Sequence, residues 1–92
     1  MSKDDDAPGE RARVYGRIAP IIMAFYRNHT GETFHMEDLR RYVIAHAPEI
    51  APDSPSRILR ELRLENRLNY VVLSRYESLY QFRHRVKPPL DV

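Results

Sequence analysis

Residues Asp53 to Phe82 read "DSPSRILRELRLENRLNYVVLSRYESLYQF". The hydrophobic period changes half-way along this stretch. After Ser54, the apolar residues Ile58, Leu59 and Leu62 recur at helical spacing. Ser54 is the expected N-cap and Pro55 suits the first helical position. The helix should end around Asn66, because asparagine tolerates the left-handed conformation used at helix C-termini. Beyond it the period is two. In "NYVVL", Tyr70 and Val72 point one way and Val71 and Leu73 the other. In "LYQF", Tyr80 and Phe82 oppose Leu79 and Gln81. Ser74-Arg75-Tyr76-Glu77-Ser78 joins them, a loop of about five residues and a common hairpin length. The stretch is therefore a helix that leads directly into a β-hairpin.

Upstream, "ETFHMEDLRRYVIAHAPE" places Met36, Leu39, Tyr42, Val43 and Ala47 on one helical face. Glu37, Asp38, Arg40 and Arg41 fall on the other, and Pro48 ends this helix near Ala47. Thr33-Phe34-His35 is either a short strand or an extended link. Pro48 and Pro52 punctuate the following loop, with Ile50 as its anchor. Further upstream, Ile18, Ile21, Ile22 and Phe25 share the face of a first helix near 18–29, with the option of a kinked extension before it. Pro20 then sits near the start, where proline is tolerated, and Gly31 marks the stop. Met23 and Tyr26 lie beside the main stripe. A helix apolar on so many sides needs cover from a long N-terminal segment or from a second copy. The chain is expected to work either alone or as a homodimer through Ile21, Ile22, Met23 and Tyr26.

Ninety-two residues make one domain, with no room for a second core. Residues 1–10 carry three consecutive aspartates and then Ala-Pro-Gly, the composition of a disordered segment. We divide the chain into a flexible acidic and basic N-terminal tail at 1–13, a folded domain at 14–86 and a C-terminal tail at 87–92. Pro88 and Pro89 exclude a helix or a central strand at that end. The start lacks the basic and apolar regions of a signal peptide, and no apolar run reaches the length of a membrane span. The absence of cysteine excludes disulfides and thiolate metal sites and fits a reducing compartment. The expected location is the cytoplasm, in association with the nucleoid when bound to DNA.

The formal charge of +2 hides an asymmetry. Residues 1–10 set Lys3 against Asp4, Asp5, Asp6 and Glu10, which leaves 14 basic and 9 acidic side chains, or +5, in the rest. Thirteen of the 15 basic residues are arginine, the side chain best suited to bidentate bonds with phosphate and guanine edges. With Arg57 at zero and about 100° per residue, Ile58, Leu59 and Leu62 span roughly 100° to 200°. Arg60, Arg63 and Arg67 fall at roughly 240° to 300°, beside Arg57, while Glu61 and Glu65 take the other flank at roughly 40° to 80°. Leu64 sits among the arginines and is expected to pack against Leu68 or a partner.

The order helix, short strand, helix, helix, strand, strand is that of a winged helix-turn-helix. The fold class is thus α+β, mainly α: three helices and a C-terminal hairpin wing, with the option of a third short strand near Thr33–His35. Helix 55–66 would read the major groove of double-stranded DNA, and wing 69–83 would touch the backbone or minor groove. The candidate DNA-binding residues are Ser54, Ser56, Arg57, Arg60, Arg63, Arg67, Arg75 and Tyr76. Ser54 and the helix N-terminus are suited to a phosphate, and Arg83, His84, Arg85 and Lys87 extend the positive surface.

The pattern Ser54-Pro-x-Arg57-x-Leu-Arg60-x-Leu62-Arg63, then Tyr70, then Ser78-Leu-Tyr80, carries a resemblance. It resembles the winged-helix domain that follows the nuclease domain in Dam-replacing-type, methyl-directed restriction endonucleases, and related small helix-turn-helix proteins of bacteria and phages. The likeness covers roughly the C-terminal half. It implies that the DNA-reading role falls on Arg57, Arg60 and Arg63. Asn66 stands where many such sequences have glycine. There is no nuclease domain here, so cleavage is not implied.

His29, His35, His46 and His84 form no metal-ligand spacing, the serines lack a nucleophile-elbow context, and three glycines make no phosphate loop. The chain reads as a non-enzyme with no cofactor and no metal, most simply a small transcription regulator. The alternative is a winged-helix protein-interaction module, for example a phage-encoded inhibitor of a host nucleic-acid-binding defence complex.

Overall fold

The computed structural model describes the backbone of residues 3–51 and 53–85 and the side chains of 12–51 and 53–85. Its elements are α1 (Lys3–His29), β1 (Thr33–His35), α2 (Met36–His46), α3 (Ser54–Leu64), β2 (Asn69–Ser74) and β3 (Leu79–Arg83). The fold is α+β and mainly helical, and its antiparallel sheet has the strand order β1-β3-β2. The C-terminal tail assigned to 87–92 lies outside the described residues.

The inward faces are those that the spacing implies. Ile18, Ile22 and Phe25 of α1, Leu39 and Val43 of α2, and Ile58, Leu59 and Leu62 of α3 close one core with Leu68. Phe34, Tyr70 and Phe82 join it from the three strands. Phe82 is fully buried and central to an aromatic group. Its ring stacks on Phe34 at 4.2 Å and meets Tyr26 and Phe25 edge-on at 5.0 and 5.9 Å. Such edge-on pairs add to plain area burial. Tyr26 also donates its hydroxyl to the Arg83 carbonyl at 2.6 Å, which ties α1 to the end of β3.

Thr33–His35 is a strand. It pairs antiparallel with β3, with Phe34 opposite Tyr80. The hairpin pairs Tyr70 with Phe82 and Val72 with Tyr80. A bulge follows between Val72 and Ser74, leaving Leu73 half-exposed. Ser74 is the last residue of β2, so the loop has four residues, Arg75 to Ser78, rather than five. Ser78 closes it at φ 56 and passes its carbonyl to the Met36 amide at 3.0 Å, joining the loop to the start of α2.

Three expectations for α1 are corrected. The helix runs from Lys3, not from near residue 18, so the backbone of 3–13 is helical. Pro20 is therefore interior and removes one backbone hydrogen bond there. Burial of Ile18, Ala19 and Ile22 around it outweighs that local cost. Finally, Ile22 and Tyr26 are core residues, and Ile21 and Met23 pack partly against that core. The apolar sides of α1 are covered by α2, α3 and the sheet, so the proposed dimer surface loses two of its four residues.

Both later helices start differently from the sequence reading. His35 caps α2: its Nδ1 accepts the Glu37 amide at 2.9 Å, and Asp38 accepts the His35 amide at 3.2 Å. This reciprocal arrangement is a capping box with histidine in the serine role. At α3 the N-cap is Asp53 rather than Ser54, and its side chain makes no capping bond. Asp53 is already in the helical region of the backbone map, at φ −87 and ψ −6, which moves the boundary by one residue.

Candidate nucleic-acid interface

The turn after α3 decides which arginines share a surface. The Arg67 amide bonds the Leu62 carbonyl and the Asn66 amide bonds the Arg63 carbonyl, both at 2.9 Å, with Asn66 at φ 60. This is a Schellman closure, with asparagine in the left-handed position. Leu64 is the last helical residue. Arg57, Arg60 and Arg63 remain on the helix at intervals of three, and all are exposed. Among the described residues none of the three forms a salt bridge, although Glu61 and Glu65 are close in sequence. The Arg63 guanidinium lies over the Tyr70 ring, 4.7 Å from its centroid. The strip thus continues from α3 onto the base of the hairpin.

Arg67 does not belong to that strip. Its Nη1 donates to the Tyr15 hydroxyl at 2.7 Å, and Tyr15 donates in turn to Glu65. The helical angle that placed Arg67 beside Arg57 applies only while the helix lasts. The left-handed Asn66 turns the chain toward α1 instead. Burial, then the bond to Glu65, raises the Tyr15 pKa above the ordinary phenol value, against the opposing effect of Arg67.

Ser54 is also corrected as a surface contact, because only 3% of it is exposed. Ser56 is half-buried and donates its hydroxyl to the Asp53 carbonyl at 3.2 Å. Arg75 is exposed, and Tyr76 is 97% exposed at the hairpin tip with no ring partner among the described residues. Ser74 Oγ accepts the Glu77 amide at 3.1 Å, and the Ser78 amide bonds the Arg75 carbonyl at 3.2 Å. These bonds hold the tip in a defined turn. Leu64 is 79% exposed and does not pack against the buried Leu68. Arg83 is engaged by Gln81 at 2.9 Å and Arg85 reaches the Asn66 carbonyl at 3.5 Å. Lys87 lies outside the described residues.

Sequence reasoning missed Arg40. Its Nη1 pairs with Glu37 at 2.9 Å, while its Nε is buried without a partner beside a cleft lined by Met36, Asp53 and Ser56. No sequence spacing marks such a position, since it depends on how α2 and α3 meet. Among the described residues no group of three or more His, Asp or Glu side chains could hold a metal ion. No described helix is long and apolar enough to cross a membrane. Comparison with protein-family models finds no match, and comparison with curated proteins and with solved structures finds no significant one.

Proposed function

We propose that this chain is a double-stranded DNA-binding protein of the winged-helix type, most simply a small transcription regulator. In this reading α3 enters the major groove and the β2–β3 hairpin is the wing. One observation carries it: Arg57, Arg60 and Arg63 stand exposed along one side of α3, and no described carboxylate pairs with them. Guanidinium groups left unpaired in this way are available to phosphates and guanine edges. The helix diameter suits the width of the major groove. Arg75 and Tyr76 are exposed at the hairpin tip, where a wing would meet the backbone or the minor groove. Arg60→Ala and Arg57→Ala are each expected to weaken specific binding by about 1–3 kcal/mol, with affinity falling steeply as salt rises. Fluorescence anisotropy on duplexes selected from a random pool measures both. Unchanged affinity in both variants at modest salt would remove the assignment.

The exposed Leu64 and Tyr76 favour one second reading, a module that binds a protein partner such as a host nucleic-acid-binding complex. Apolar groups left in water are common at protein interfaces. Failure to retain the chain on random duplex DNA at low salt selects this reading over the first.

A further inference from the structure

Of the three arginines exposed along α3, one is held in place. The Arg63 guanidinium is 4.7 Å from the centroid of the Tyr70 ring. That is inside the roughly 6 Å within which a cation is drawn to a ring face. Arg57 and Arg60 lie over no ring and form no salt bridge among the described residues. Resting on the DNA-binding reading, we infer that Arg63 sets base preference by pairing with a guanine edge, and that Tyr70 is its positioning residue.

The stack fixes the cation without using it up. A guanidinium is planar, and its N–H donors point outward in that plane. A ring beneath it covers one face and leaves the edges free. A carboxylate would take those edges, and none does so at Arg63 among the described residues. Arg67 shows the other outcome. Its guanidinium is 6.0 Å from the centroid of the Tyr15 ring, and its Nη1 is spent on the hydroxyl of that residue.

Both sides of the Arg63–Tyr70 contact are anchored. Arg63 belongs to the last turn of α3, which the left-handed Asn66 closes. Tyr70 is 6% exposed, stands opposite Phe82 in the hairpin and meets Tyr80 edge-on at 5.6 Å. Reading guanine requires two N–H groups aligned on O6 and N7 at once. A cation already held in one orientation loses less freedom when it makes that pair. A phosphate contact carries no sequence information and suits the unstacked Arg57 and Arg60.

Fluorescence anisotropy on a selected duplex, and on copies with each G·C pair replaced in turn, tests the assignment. Arg63→Lys keeps the charge and loses the planar fork. It should abolish the preference at one G·C pair, a loss of roughly five- to 150-fold. Affinity for random duplex should stay within about two-fold. Arg57→Lys and Arg60→Lys should leave that preference within about two-fold. Tyr70→Leu should lower it roughly two- to five-fold, and Tyr70→Phe, which retains the ring, should keep the parent value. Proton NMR of the free chain reads the stack without DNA: the ring current should displace the Arg63 Hδ signals upfield in the parent and in Tyr70→Phe. Absence of that displacement in the parent overturns the positioning role, as does a loss of preference in Tyr70→Phe equal to that in Tyr70→Leu. A preference untouched by Arg63→Lys overturns the assignment, whether or not Tyr70→Leu folds. If Arg57→Ala and Arg60→Ala weaken DNA binding while Arg63→Lys keeps the preference, this inference fails and the proposed function stands. A parent chain that binds no duplex removes both.

Discussion

Arg67 and Arg57 are one residue type with two different jobs, and the difference comes from a single backbone angle. Arg57 lies within α3 and keeps its guanidinium in solvent. Arg67 follows the left-handed Asn66 and is drawn into the Tyr15–Glu65 network on α1. Arg67→Ala should therefore disturb that corner rather than base reading. Tyr15 carries the pH signature of the network. Its pKa is raised in the fold above the ordinary phenol value of 10.0, so the protonated phenol is the form the fold favours. The resulting stabilisation is fully present below that value and is lost as pH rises through the higher, folded one. Chemical denaturation across the alkaline range should show a shallower loss of stability in Tyr15→Phe than in the parent. Equal slopes would mean that Tyr15 contributes nothing to the alkaline limb.

Among the elements, α1 departs furthest from its local signals. Pro20 argues for a helix that begins nearby, and the chain instead keeps a helix from Lys3 through it. Interior proline costs a hydrogen bond and crowds the preceding turn. Pro20 is exposed, so replacement opens no cavity. Pro20→Ala should raise stability by about 1–2 kcal/mol, less than the full helix-interior cost because alanine also loosens the unfolded chain. Thermal melting followed by circular dichroism reads this directly, and a lowered midpoint would show that the ring itself supports packing. The hairpin behaves as its sequence indicates, except that the bulge at Leu73 shortens the loop and turns a strand residue toward solvent.

At the scale of the molecule, Phe82 joins what is distant in sequence. It meets Phe25 and Tyr26 on α1 and Phe34 on β1. Phe82→Ala is expected to cost about 3–5 kcal/mol, a large share of the roughly 5–15 kcal/mol that keeps a small domain folded. Urea denaturation should place the variant close to unfolding in water. A loss under about 1 kcal/mol would mean that the three strands and α1 are held together elsewhere.

The sequence by itself determined the periods and therefore which residues share a face. Ile58, Leu59 and Leu62 form the inward face of α3 as their spacing implies, and Tyr70 with Val72, like Tyr80 with Phe82, share one side of the hairpin, because side-chain direction follows from local backbone geometry; that this side faces the core was decided by packing. Asn66 as the stop of α3 was legible for the same local reason. Tertiary structure alone decided what covers each face. It placed Ile22 and Tyr26 inside the core, brought Tyr15 to Arg67, buried Ser54 and set Arg17 beside Glu49. Those outcomes depend on contacts between residues far apart along the chain, and a repeat of 3.6 or 2 carries no information about which distant segment will arrive.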